Sequence, residues 1–188
     1  MIVRKRLSIL IIDGVGEKFV GWSWRAGAKI FGKMFDRVHY CASVADFWAV
    51  IESYAPGEVA HVQVWGHGGP GRPLINKVAI DDDDARWALL EGATVWFRMC
   101  SIAAGPQGHK FMKRLALHGV IPVAHLPVIG FWASQSYMVA LKPGEEPWWP
   151  VDLLPKGSAP WLPRNVMAWQ MTLPSWALDV APEKFKAL

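Results

Sequence analysis

Sulfur chemistry is sparse in this chain: two cysteines, Cys41 and Cys100, in 188 residues, with no Cys-x-x-Cys and no metal-type ligand spacing. That speaks against a disulfide-stapled secreted framework and against a zinc module, though one bridge between the pair stays open. Charge is thin too, at 19% of residues, and the net +4 is mild. Basic residues gather at Arg4, Lys5 and Arg6 and scatter from Lys18 to Lys33. They form no basic stripe interleaved with aromatics, so a solvated surface is expected and a nucleic-acid partner is not. Long apolar runs are missing as well. The stretch after Arg6 stops at Asp13 with no small-residue cleavage site beyond it. It is too short for an export signal and far too short for a membrane span. The expectation is a cytoplasmic protein without a membrane partner, a monomer or weak homodimer.

What is present is a core. Apolar residues make up 52% of the chain, a globular composition, and the length suits one domain. We expect a single unit over 1–188, with a core at 1–142 and an extension at 143–188. Twelve tryptophans thicken toward the end, at Trp132, Trp148, Trp149, Trp161, Trp169 and Trp176. Core and loop packing explains them most simply; an aromatic partner surface or a lid over a cleft is the sharper reading. The 143–188 segment, rich in Pro and Trp, reads as an irregular wrap packed back on the core, because that much indole left in water would invite aggregation.

Apolar periodicity predicts strands at 7–12, 38–42, 59–65, 94–99, 120–124 and 137–141, with a short extra one at 77–80. Helices are expected at 22–35, 44–54, 85–90 and 108–117, with Ser43 as an N-cap. Residues 66–72 read as a glycine-rich loop. Asp81, Asp82, Asp83 and Asp84 open the third helix, where they meet the positive end of its dipole. A metal site there is the alternative, but no second ligand cluster accompanies it, so neither metal nor cofactor is expected. Strands alternating with helices predict an α/β fold with a mostly parallel sheet and helices on both faces. Function in such sheets lies beyond the carboxyl ends of the strands. Asp13, His67 and Cys100 all fall at such ends.

Two polar elements there carry chemistry. Trp65-Gly66-His67-Gly68-Gly69 closes the run at 59–64, and Arg98-Met99-Cys100-Ser101 closes the run at 93–97. An imidazole can take a thiol proton, and glycines let backbone N–H groups approach a developing oxyanion. Singly, His67 reads as a loop histidine and Cys100 as a small buried hydrophobe; jointly, at one sheet edge, they read as a dyad. Cys41 reads as an inert buried thiol. Arg98 lies two residues before Cys100 on one strand, so the two share a face. It either holds a substrate carboxylate and favours the thiolate, or is a buried arginine paired with an acid such as Asp13.

At His67-Gly68 and Cys100 the chain resembles the caspase-like clan of cysteine peptidases, in which a His-Gly after one strand and a Cys after the next form the dyad. The stretch Cys100-Ser101-Ile102-Ala103-Ala104-Gly105, continuing through Gly108 and Phe111, is similar to a caspase-like domain at the start of some large bacterial surface proteins. The resemblance covers about residues 7–141 and implies a caspase-like three-layer sandwich. It also implies a peptide substrate, attack by Cys100, proton transfer by His67, and oxyanion donors at the Gly68 and Cys100 N–H groups. Asp13, Arg98 and Ser101 are the candidate substrate contacts. Arg98-Met99-Cys100-Ser101-Ile102 differs from the caspase Gln-Ala-Cys-Arg-Gly, so the caspase pocket does not carry over. Arg98 stands where the caspase Gln helps line that pocket.

Two other readings compete. Gly66 to Gly71 also looks like the oxyanion loop of α/β-hydrolase aminopeptidases, but Ser134 and Ser136 lack elbow glycines and the last histidine, His125, precedes them. The other is a catalytically idle caspase-like module that binds a partner through its Trp-rich tail.

Overall fold

A computed structural model of the chain describes residues 6–14, 18–126 and 138–152. Its centre is a six-stranded sheet in the order β2-β1-β3-β7-β8-β9. These strands are β1 (Leu7–Asp13), β2 (Arg37–Cys41), β3 (Val59–Trp65), β7 (Thr94–Arg98), β8 (Ile121–His125) and β9 (Met138–Ala140). The first five are mutually parallel, and β9 runs antiparallel to β8. Their sequences explain the placement. Ile9, Leu10, Ile11 and Ile12 are buried without regard to parity, the pattern of a parallel strand covered on both faces.

Helices supply the cover. On one face α1 (Lys18–Phe31) sets Ala28 and Phe31 against Leu10, Ile12 and Trp65. On the other, α2 (Val44–Glu52), a 3-10 helix (Ala85–Leu90) and α3 (Gly105–Leu117) close over Val62, Val64, Val95 and Phe97. Trp87 sits at the middle of that layer, edge-on to Trp48 at 4.9 Å and to Phe97 at 6.0 Å. The α/β architecture with helices on both faces is the one expected.

Several boundaries moved. The helix placed at 22–35 starts earlier and ends at Phe31, where Gly32–Met34 tightens into a 3-10 turn. The helix placed at 108–117 begins a turn sooner, with a proline in its first turn that needs no donor there. Ser43 caps α2 as anticipated, accepting from the Asp46 N–H at 3.1 Å. The segment at 85–90 is 3-10 rather than α, too short to pay for a full α nucleus before Gly92 turns the chain at φ 70°.

The largest departure is at the glycine-rich segment. Instead of a loop, it begins an antiparallel meander of β4 (His67–Gly69), β5 (Arg72–Ile75) and β6 (Val78–Ala79). Glycine's weak strand preference hid it from the pattern.

Trp48, Trp65, Trp87, Trp96 and Trp149 are all buried, so core packing accounts for these five. Within 143–152, Trp149 joins the core and donates its indole N–H to the Ala103 carbonyl at 3.0 Å. Trp132, Trp161, Trp169 and Trp176 lie outside the described residues, as do Ser134 and Ser136. Among the described residues no helix is long and apolar enough to cross a membrane.

Candidate active site

The strand register assembles the site. Ile12 pairs with Trp65 and Trp65 with Arg98, so β1, β3 and β7 end side by side. Asp13, the Gly66-His67 step and the Met99-Cys100 step therefore leave the same edge of the sheet. This is the convergence that the strand ends predicted.

Beyond the edge, His67 opens β4 and pairs with Leu74, while Gly68 pairs with Pro73. Pro73 and Ile75 are buried and Leu74 is half-buried, so Gly68 faces inward; His67 is half-buried, with its Nε2 shielded from solvent. The inward approach is close. A Cβ on Gly68 would stand 2.5 Å from Ile102 Cδ1, 3.0 Å from Met99 Cβ and 3.3 Å from the Cys100 carbonyl oxygen. The backbone after His67 is thus pressed against the turn that carries Cys100.

That turn is held on several sides. Ser101 takes a left-handed φ of 54°, and its carbonyl accepts from the Ala104 N–H at 3.0 Å. Ala103 N–H donates to the His125 carbonyl at 3.1 Å, tying the turn to β8. Gly71, at φ 63° between β4 and β5, donates to the Ile102 carbonyl at 2.9 Å. Trp149 closes the fourth side through Ala103. A strained non-glycine residue next to a candidate nucleophile, fixed by its surroundings, is a recurrent mark of functional turns.

The two cysteines differ as expected. Cys100 is half-buried and not part of a disulfide. Cys41 is fully buried, and loss of hydration, with Asp46 and Asp13 nearby, pushes its thiol up to about 12, so it stays protonated and inert.

Arg98 leaves the sheet on the α1 face, with its guanidinium 5.1 Å from the Trp65 ring and 5.7 Å from the Trp96 ring. Burial lowers it to about 10, so it remains cationic at neutral pH. Asp13 is one residue out of phase with Ile12 and so turns to the opposite face, beside Cys41. Arg98 makes cation–π contacts with both indoles. Asp13 is 1% exposed, and its carboxylate accepts from the Asn76 N–H at 3.1 Å. It enters the site as support beneath the hairpin, not as a substrate contact.

The aspartate run is also accounted for. Asp84 caps the 3-10 helix and binds Arg86 at 2.6 Å, Asp82 binds Arg114 at 3.0 Å, and Asp81 accepts from the Asp83 N–H at 3.0 Å. Among the described residues no group of three His, Cys, Asp or Glu side chains is placed to hold a metal ion.

Sequence reasoning missed the place of His125. His125 ends β8 as His67 follows β3, but its ring is buried, with Nε2 accepting from the Trp96 indole N–H at 3.2 Å. Burial foremost, then the Arg98 charge, lowers its pKa to about 3, and burial lowers that of His61 to about 4. Both rings are neutral in the fold and take up protons near the ordinary 6.5 when unfolded. Their contribution to stability is therefore complete above 6.5 and is lost as pH falls toward the folded values. Each proton taken up on unfolding costs about 1.4 kcal/mol per pH unit. Urea midpoints should fall steeply on acidification through this window, and His125→Gln should lower that slope by about half. An unchanged slope in the variant would mean that His125 is not held neutral.

No protein-family model, curated protein or solved structure matches the chain.

Proposed function

We propose that the protein is a cysteine peptidase of the caspase-like type, acting on a peptide bond through Cys100 and His67. The observation that carries this reading is the contact of the Gly68 backbone with the Met99–Ile102 turn, which brings the segments bearing imidazole and thiol together at one sheet edge. In the proposed reaction His67 accepts the Cys100 proton and the thiolate sulfur attacks the scissile carbonyl carbon. The carbonyl electron pair moves to oxygen, where the Gly68 and Cys100 N–H groups are the assigned donors. On collapse the C–N bond breaks, His67 protonates the leaving amine, and water later releases the acyl group from sulfur.

Arg98 supports an acidic residue before the scissile bond. Two indole rings flank its guanidinium, and a desolvated cation of this kind suits a carboxylate. Peptide-library profiling should give an Asp or Glu preference that Arg98→Gln loses by roughly 10- to 150-fold in rate, the scale of one charge-assisted hydrogen bond. A preference for Lys, Arg or small apolar residues would assign Arg98 to packing alone.

The reading is tested without a known substrate by labelling with an electrophilic thiol probe. Cys100 should label rapidly at neutral pH, Cys41 should not, and His67→Ala should slow the reaction. Equal labelling of both cysteines, or indifference to His67→Ala, would overturn the dyad.

A further inference from the structure

We infer that Asp13 is a positioning residue for His67, acting through the Asn76 amide to hold the histidine-bearing hairpin at the sheet edge. The inference rests on the dyad proposed above and extends it to a residue outside the reacting pair. It starts from an imbalance: a carboxylate 1% exposed at the end of strand β1, whose preceding four residues are all apolar and buried. Packing alone would be served better by an apolar side chain, since a buried carboxylate must be given hydrogen-bond donors.

The donor it has is informative. Asn76 and Lys77 join β5 to β6 with φ values of 49° and 66°, the two left-handed residues of a tight hairpin turn. Asp13 Oδ2 accepts from the first of them at 3.1 Å. Two residues before Asn76, in β5, Leu74 is the register partner of His67. The carboxylate is thus fixed to the strand that carries the histidine's partner.

A second contact reaches His67 from the other direction. Gly66 links β3 to His67, and a Cβ there would stand 2.8 Å from the Leu74 carbonyl oxygen, 2.9 Å from Met99 Cε and 3.6 Å from Asp13 Cβ. The base of the hairpin therefore lies against Met99 and Asp13, while its tip is fixed by Gly71 to Ile102. Strands of three, four and two residues form no independently stable sheet. The meander takes its position from such anchors, and the Asp13 anchor is the one nearest His67. Releasing it lets His67 shift relative to Cys100.

The experiment follows the rate of Cys100 alkylation by iodoacetamide against pH in the full chain, with the folded state checked by circular dichroism. Asp13→Leu should lower the neutral-pH rate about 10- to 100-fold, the scale of an ångström-level misplacement, and shift the profile toward that of His67→Ala. Asp13→Asn keeps a carbonyl acceptor for Asn76 and should keep the wild-type profile. Adding Asp13→Leu to His67→Ala should change nothing further, because the effect passes through the histidine. Gly66→Ala, which disturbs the same base without touching the carboxylate, should reproduce the Asp13→Leu profile and serves if that variant does not fold. A His67-dependent profile that Asp13→Leu or Gly66→Ala leaves intact in folded protein would overturn the positioning role. So would Asp13→Asn behaving like Asp13→Leu. A profile indifferent to His67→Ala would instead overturn the dyad.

Discussion

Cys100→Ala is expected to reduce peptide hydrolysis by about four orders of magnitude or more, His67→Ala by a comparable factor, and the double variant by no more than either alone. The alanine at 100 removes the proposed nucleophile, and Cys41, buried with its thiol raised to about 12, cannot replace it. The alanine at 67 leaves the nucleophile without a base to take its proton or an acid for the leaving amine. Once one is gone the other has no step to perform, so the losses do not add. The check is initial rates on fluorogenic peptides carrying an acidic residue before the cleaved bond, with each variant's unfolding curve measured beside it. Activity surviving in Cys100→Ala would assign the cleavage to another group. Multiplicative losses in the double variant would show that the two residues act separately.

Among the described glycines, Gly108→Ala should be the most damaging single methyl. Its Cβ would lie 2.3 Å from the Ala103 carbonyl carbon, 2.5 Å from that oxygen and 2.8 Å from the Ile102 oxygen. All three are backbone atoms, so no side chain can rotate away, and α3 must lift off the turn that follows Cys100. Alanine gains about 1 kcal/mol over glycine in a helix. A forced backbone displacement outweighs that, and we expect a net loss of about 3 kcal/mol or more. Urea unfolding gives the number directly. Gly69→Ala is the control: nothing stands within 4 Å of its Cβ position, and a change within about 0.5 kcal/mol is expected. Wild-type stability in Gly108→Ala would mean that α3 does not rest on the 102–103 backbone.

The parts of the fold legible in the sequence are those written as long apolar runs. β3 was read at 59–65 and forms there, because Val62, Val64 and Trp65 must be buried whatever the neighbouring elements do. The shared edge of Asp13, His67 and Cys100 followed from strand ends and parallel topology alone. β6 was read as the short strand at 77–80, but the β4–β5 hairpin was not, since Gly68 and Gly69 carry no pattern and Gly68 is held by close approach to the Cys100 turn. The duty of Asp13 was equally hidden. Its partner is an amide 63 residues further along the chain, and no local rule links a strand-end aspartate to a distant turn. Arg98 was placed on the right strand, but its indole neighbours come from a cross-strand pair and from strand alternation, visible only once β3 and β7 are in register.

The sheet order has a consequence for when chemistry can begin. The innermost pair β3 and β7 are parallel, so they cannot close as a local hairpin and must wait for the whole connection between them. Parallel pairings of this kind form late, after the entropy of a long loop has been paid. His67 follows the first strand of that pair and Cys100 the second. In the proposed enzyme a chain still emerging, or one partly unfolded, holds a solitary histidine and an ordinary thiol. Reactivity is then a property of the finished sheet, and a half-made molecule is harmless to its neighbours.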